Sequence, residues 1–438
     1  MHRLADLDDP QAALLLLRHC ASYCKLAYSA RVVPPSAHQQ ALQDFDMDVR
    51  RTFEATTAMF PDDDAWGRAQ LGTAMGGLGL RSAHRHADAA YVASVVESAS
   101  LATAVDTAFD MLNGGTASCV SQAVRALNAK LPQPAHVQLG DVSGVSQRAV
   151  SRKLERAALD ATLASPATPQ HVKAHLQLVS VEGAGMVFHA PPSKNLGTWM
   201  DGDLYKVVLQ RRLRMPLWPE ACHCTACGAA MDIWGDHALS CGCRGDRTLR
   251  HNALRDVTYH AALAAGLQPQ REKSGLLPQR PGQDALRENV LSNGRRPADV
   301  WIPRWENGAP AAWDFAVTSG LRAGAVHEAA ADPSQPVTAY EAHKRAHLGT
   351  AAQCHQQGLS FVPMVVEAHG GGWGPAAKGV WRFLARAKAA QTGQDESATA
   401  QELAQRIDVT LHRENARHPP PCAADVRRPR GCQPGGLG

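Results

Sequence analysis

Three observations predict a multidomain α + α/β protein with a helical N-terminal half, a small cysteine/histidine metal knuckle and an αβββαβ core. Residues 1–175 carry apolar positions at helical spacing, punctuated by prolines that stop helices. Five of the eleven cysteines, Cys222, Cys224, Cys227, Cys241 and Cys243, crowd into a short stretch. From residue 250 to 368 the pattern reads helix, three strands, helix, strand. At 438 residues the chain is long enough for two or three domains with cores of their own.

The first helix is expected over residues 11–31, carrying the Leu14 to Leu17 run and ending before Pro34-Pro35. Cys20 and Cys24 fall one turn apart on it and read as core residues, since no second pair lies nearby to complete a metal site. A second helix is expected over 37–60, stopped by Pro61-Asp62-Asp63-Asp64. The glycine-rich stretch Gly76-Gly77-Leu78-Gly79 precedes an alanine-rich helix. Neither its glycine spacing nor a preceding strand fits a phosphate loop, so a turn before a packed helix is the reading. Residues 100–175 continue as helices without recognisable chemistry. Residues 176–221 form a basic linker and helix, 222–245 the knuckle, 247–375 the α/β domain, and 376–438 a helix followed by a tail too rich in proline and glycine to fold.

The knuckle spacing is Cys224-x2-Cys227-x9-His237-x3-Cys241. Two thiolates on a tight turn, with a histidine and a third cysteine after a short loop, make four ligands for tetrahedral Zn²⁺ in a closed, structural site. Cys222 and Cys243 are spare, and Cys243 is an alternative to Cys241.

The α/β domain is expected to hold a helix from Arg250 to about Ala265, a strand over 268–277 carrying Glu272, strands over 298–305 and 311–318, a helix over 337–357 and a strand over 360–368. The middle two strands flank a Gly-Pro turn as a hairpin, and each carries one carboxylate, Asp299 and Asp314, among residues that want burial. Two acids set side by side repel unless a cation lies between them, and Mg²⁺ suits oxygen ligands best. Lys344 on the following helix could orient or deprotonate a metal-activated water. The plainer alternative pairs Asp299 with Arg295 or Arg296, puts Asp314 at the hairpin edge and leaves Lys344 solvated. Glu272 is either a third acid or an edge-strand ion pair with Lys273 or a nearby arginine, and His347 a supporting residue or an ordinary histidine one turn after His343.

The order Pro297-x-Asp299, fourteen residues, Asp314, then a lysine displaced to Lys344 resembles the restriction-like PD-(D/E)xK endonuclease domain of non-LTR retrotransposons. The ordinary lysine position, two residues after the second acid, is Ala316, and the displaced lysine is the feature of the retrotransposon branch. A Cys-Cys-His-Cys knuckle directly ahead of the nuclease is similar to that family too, as are Arg211-Arg212-Leu213-Arg214-Met215-Pro216 before it and Arg250-His251-Asn252 after it. The glycine-leucine turn near residue 78 and the helix ending in Val32-Val33-Pro34-Pro35 resemble the segments that flank the end of the family's polymerase. No polymerase-like pair of acids on a hairpin occurs, so the chain resembles the C-terminal part of such a polyprotein, without the reverse transcriptase site.

This resemblance implies a DNA-nicking endonuclease whose Asp299, Asp314 and Lys344 are catalytic, with Mg²⁺ on the two acids and the carbonyl of Phe315, and with structural Zn²⁺ on the knuckle. It also implies DNA contacts through Arg211, Arg212, Arg214, Arg247, Arg250 and His251. DNA, element RNA and a reverse transcriptase on another chain are the expected partners, and the nucleus the expected location. Two alternatives stand beside it: a catalytically dead nucleic-acid-binding remnant, and a domesticated interaction protein. Net charge is only +4 and would not argue for nucleic acid by itself. The local clusters, Lys206 to Arg214 and Arg244 to Arg255, do so unless they are merely a solvated face. The N-terminus lacks an apolar signal core and no run is long enough to span a membrane, so a soluble intracellular protein is expected.

Overall fold

The computed structural model describes residues 1–111, 115–139, 145–242, 246–278 and 297–417, which divide into a unit over Met1–Pro169 and a second over Gln170–Gly438. Cys243, Arg244, Arg295, Arg296 and the tail from 418 lie outside the described residues.

The first unit is all helix: α1 (His2–Ala5), α2 (Pro10–Leu16), α3 (Ala27–Val32), α4 (Gln39–Thr57), α5 (Asp63–Gln70), α6 (Ala83–Val105), α7 (Gly115–Asn128) and α8 (Gln147–Ala164). Asp9, Asp62, Ser82 and Ser146 each cap a helix by accepting a backbone N–H, satisfying donors that the first turn leaves free. The single helix expected over 11–31 is broken instead. After α2 the chain widens into a π turn at Leu17–Ala21 and tightens into a 3-10 turn at Tyr23–Lys25 before α3. This irregular passage leaves Cys20 and Cys24 exposed rather than in the core. The Gly76 stretch is a turn, as expected: Gly77 has no room for a Cβ, which would meet Leu71 O at 2.1 Å.

The second unit opens with α9 (Gln170–Val179) and α10 (Gly202–Arg212), then a two-stranded antiparallel ribbon of β1 (Cys222–His223) and β2 (Ala230–Met231), followed by α11 (Asp236–Ser240). Next come α12 (Asp246–Ala264), β3 (Gln270–Arg271), β4 (Val300–Ile302), β5 (Ala311–Thr318), α13 (Val326–Ala331), α14 (Gln335–Ala346), α15 (Thr350–Gln356), β6 (Ser360–Glu367), α16 (Pro375–Thr392) and α17 (Glu396–Ala416). The sheet order is β3-β4-β5-β6, antiparallel for the first two pairs and parallel for β5–β6. A parallel pair needs a crossover, and α13 to α15 supply it.

Alternation along β5 and β6 gives the sheet two buried faces. Trp313, Phe315, Met364 and Val366 pack with Leu254 of α12, Val380 and Leu384 of α16 and Leu403, Ile407 and Leu411 of α17. Ala316 and Val365 meet Val337 and Tyr340 of α14 on the other face. Trp313 is fully buried, with the Trp305 ring edge-on at 5.2 Å.

The expected secondary-structure order is present, with three differences. The strand expected to carry Glu272 is only Gln270–Arg271, with Glu272 just past its end at positive φ, and the helix expected over 337–357 breaks where Leu348 and Gly349 take positive φ. The helix expected beyond residue 376 is two helices, split at Gly393, whose φ is +69°. Both belong to the α/β core, because their apolar faces complete one side of the sheet.

Candidate active site

The β4–β5 register pairs Val300 with Trp313 and Trp301 with Ala312, and Asp299 N–H donates to Trp313 O at 2.9 Å. Asp299 stands one residue before β4, near enough for its charge to act on the Asp314 carboxyl. The two acids therefore meet where the hairpin strands begin to diverge. Lys344 reaches them from α14: its Nζ donates to Asp314 Oδ2 at 2.7 Å and to Phe315 O at 3.3 Å. His251 arrives from α12, with Nε2 2.9 Å from Asp299 Oδ2, which also accepts Phe315 N–H at 2.6 Å. These side chains are between 20% and 28% exposed, enough to reach solvent while losing much of its screening.

A cavity of about 520 Å³ opens on this group, lined among others by Arg247, Thr248, His251, Asn252, Asp314 and Lys344. Burial raises the Asp314 carboxyl; Lys344 pulls it back, the Asp299 charge pushes it up again, and the net shift is upward. Burial also raises Asp299, but the His251 bond and charge outweigh it and hold that carboxyl low. For His251, burial lowers the ring, the Asp299 hydrogen bond more than compensates, and the net shift is upward. Mutual repulsion of two half-buried carboxylates is the condition a divalent cation relieves, and the Phe315 carbonyl adds a third oxygen beside them. The candidate donors are all oxygen, two carboxylates and one neutral carbonyl.

The knuckle brings a second set together. Cys224, Cys227, His237 and Cys241 present ligand atoms all within 4.8 Å of one another and could hold a metal ion. Cys224 Sγ lies 3.8 Å from Cys241 Sγ, and Cys227 Sγ 3.2 Å from His237 Nε2. Cys224 begins the turn that joins β1 to β2: its N–H donates to Ala229 O, and Gly228, with φ +74°, donates back to Cys224 O. Burial pushes the Cys224 thiol up, but the N–H groups of Ala226 and Cys227 and the His237 and Cys227 side chains outweigh it and bring it to about 6. A thiol so lowered is ready to ligate as thiolate. A four-ligand sulfur-and-nitrogen set of this kind is compatible with structural zinc.

Of the six basic or histidine residues expected to touch DNA, Arg212, Arg214 and Arg250 are buried and Arg211 is partly buried. Arg211 donates to the Trp234 and Gly235 carbonyls, and Arg212 to Val179 O. Arg214 makes a bidentate pair with Asp236 at 2.7 Å, and its guanidinium lies 4.6 Å from the Trp234 ring centre. Arg250 joins Leu239 O to Asn415 Oδ1. Burial lowers Arg211, Arg212 and Arg250 to about 10 each, so all stay charged at neutral pH. Arg211 and Arg214 tie α10 to the knuckle, Arg250 ties the knuckle to α12 and α17, and Arg212 holds α9. A basic run on a helix looks the same in sequence whichever side it presents.

Arg247 is exposed and lines the cavity, while His251 is committed to Asp299. Glu272 is held by Arg255 Nη1, the ion-pair outcome, and Lys273 instead caps the Trp301 ring. His347 stacks on His343 at 5.3 Å rather than on the acids. The His251–Asp299 contact spans 48 positions in sequence, and its only sequence trace is the Arg250-His251-Asn252 run.

Compared with known families and with curated proteins, the chain matches no family model and no curated protein. Among the described residues no helix is long and apolar enough to cross a membrane.

Proposed function

We propose that the second unit is a metal-dependent DNA endonuclease of the PD-(D/E)xK kind, making single-strand nicks, and that the chain is the C-terminal part of a non-LTR retrotransposon polyprotein. One observation carries the reading: Asp299 and Asp314 on neighbouring strands, with Lys344 bonded to both Asp314 and the Phe315 carbonyl at the edge of one cavity. A helix, three strands, a crossover and a parallel fourth strand surround that group, an order that supports this reading.

Asp299, Asp314 and the Phe315 carbonyl would hold Mg²⁺, which when bound supplies Lewis acidity and a more acidic water. The protein's own part is placement and charge. Lys344 orients the attacking water and balances charge gathering on the phosphate, while Arg247 and Thr248 at the cavity wall hold the flanking backbone. Water oxygen bonds to phosphorus as the bond to the 3′ oxygen breaks. The water gives up a proton, the 3′ oxygen gains one, and a 5′ phosphate and a 3′ hydroxyl remain. In an intact element that hydroxyl primes reverse transcription. Cys224, Cys227, His237 and Cys241 would hold Zn²⁺ as a folding element.

The test is nicking of supercoiled plasmid in Mg²⁺ by wild type, Asp314→Ala and Cys227→Ser. Nicking that disappears in Asp314→Ala and persists, weakened, in Cys227→Ser is the expected result. A folded, DNA-binding preparation that never nicks overturns the reading in favour of a catalytically dead remnant.

A further inference from the structure

His251 is held from several directions. Its Nε2 meets Asp299 Oδ2 at 2.9 Å, its Nδ1 faces Asn252 Oδ1 at 3.4 Å, and its ring stands edge-on to Phe315, 6.3 Å between centres and 86° between planes. Phe315 is itself a core residue, 2% exposed, and follows Asp314 on β5. The histidine is thus anchored by the same strand that carries the second acid.

The consequence falls on Asp299. Its Oδ2 takes two donors, the His251 ring and the Phe315 N–H at 2.6 Å, which lie on different elements. A carboxylate bonded twice through one oxygen has little freedom about its last torsion. Lys344 pins Asp314 in the same manner through Oδ2. Each acid is therefore fixed by a basic side chain from a different helix, α12 for one and α14 for the other. Partners of this sort orient metal-binding carboxylates and tune their affinity.

We propose that His251 is a positioning residue for the divalent cation: it holds Asp299 with one oxygen turned to the metal, and is not a contact for the DNA backbone. This rests on the nuclease reading above. The role needs only a ring N–H donated to Asp299, so it does not depend on the charge of the imidazole.

The experiment uses the zinc-loaded full chain and three variants, His251→Ala, His251→Gln and Asp314→Ala. Mn²⁺ binding is read by electron paramagnetic resonance, the Mg²⁺ dependence of nicking by titration, and DNA affinity by anisotropy without divalent cation. His251→Ala is expected to weaken Mn²⁺ and raise the Mg²⁺ needed for half-maximal nicking by about 10- to 100-fold. Its metal-free DNA affinity should stay within about twofold of wild type, since no phosphate contact is lost. His251→Gln, which keeps an N–H donor, should recover much of the metal affinity, and unchanged circular dichroism for both variants shows that the fold survives. Unaltered Mn²⁺ affinity with weakened DNA binding in His251→Ala overturns the positioning role and leaves a phosphate contact. Wild type that binds no Mn²⁺ beyond the Asp314→Ala level overturns the nuclease reading itself, and so the two failures are distinct.

Discussion

At the scale of single residues, the second unit uses its arginines in opposite ways. Arg214 and Asp236 are almost wholly removed from solvent, their side chains 4% and 13% exposed, and Asp236 sits beside the metal-ligand candidate His237. Removing one member of such a pair leaves a buried charge unpaired, which costs about 3–5 kcal/mol. Arg214→Ala is expected to lower stability by that order in urea denaturation and to lose knuckle metal, whereas Arg247→Ala should weaken DNA binding and leave stability unchanged within about 0.5 kcal/mol. Equal loss of DNA affinity at matched stability in both variants would contradict the burial argument. Lys344→Gln is one atom shorter but keeps an N–H donor while removing the charge beside Asp314. It should cut nicking about 100-fold or more with little change in DNA affinity.

Among elements, α16 and α17 carry more than their sequence suggests. Residues after 375 read as an appendage, yet Val380, Leu384, Leu403, Ile407 and Leu411 are all buried against the sheet. Each large aliphatic side chain contributes about 1.5–3 kcal/mol on burial, so the five together rival the 5–15 kcal/mol that typically holds a domain folded. A chain ending at residue 374 is therefore expected to lose cooperative thermal unfolding and to be cleaved rapidly by trypsin; a sharp, native-like transition would sink this view. The knuckle is an element of another kind, built from strands only two residues long and one helix of five, too small to supply a core. Stripping its metal with a zinc-selective chelator should free the 224–241 segment to proteolysis first, with loss of nicking following from the Arg214 and Arg250 ties rather than from the catalytic acids.

Over the whole molecule, buried histidines give stability a pH dependence. Burial depresses the His369 ring to about 3, with Asp236 opposing and Arg214 and Arg211 adding to the depression. In the first unit, burial together with Arg81, Arg85 and Lys130 holds His86 well below its ordinary range. The unfolded chain protonates such rings near 6.5 and the native chain does not, so for His369 the unfolded state binds more protons between about 3 and 6.5, and His86 acts in the same direction below 6.5. Their contribution is complete above about 6.5 and is lost as pH falls through that window, by up to about 1.4 kcal/mol per pH unit for each ring. Thermal unfolding from pH 7.5 to 5 should show a falling Tm, with a shallower slope in His369→Asn. An identical slope in wild type and variant would remove His369 from the account.

Much of this was legible from local pattern. The β5 strand, the Cys224-Cys227-His237-Cys241 set and the alignment of Asp299, Asp314 and Lys344 follow from spacing, because strand period, turn chemistry and ligand geometry are short-range constraints. What lay beyond reach was decided by packing. Which side of α10 and α12 faces inward turned four arginines from expected DNA contacts into clamps on protein carbonyls, an asparagine and Asp236. The reach of His251 to Asp299 and the docking of α16 and α17 on the sheet join positions far apart in the chain. The sequence by itself determined the local elements and the candidate Cys/His and carboxylate sets; the tertiary structure alone decided which charges meet solvent, because burial depends on every element that packs against a side chain and not on its neighbours in the chain.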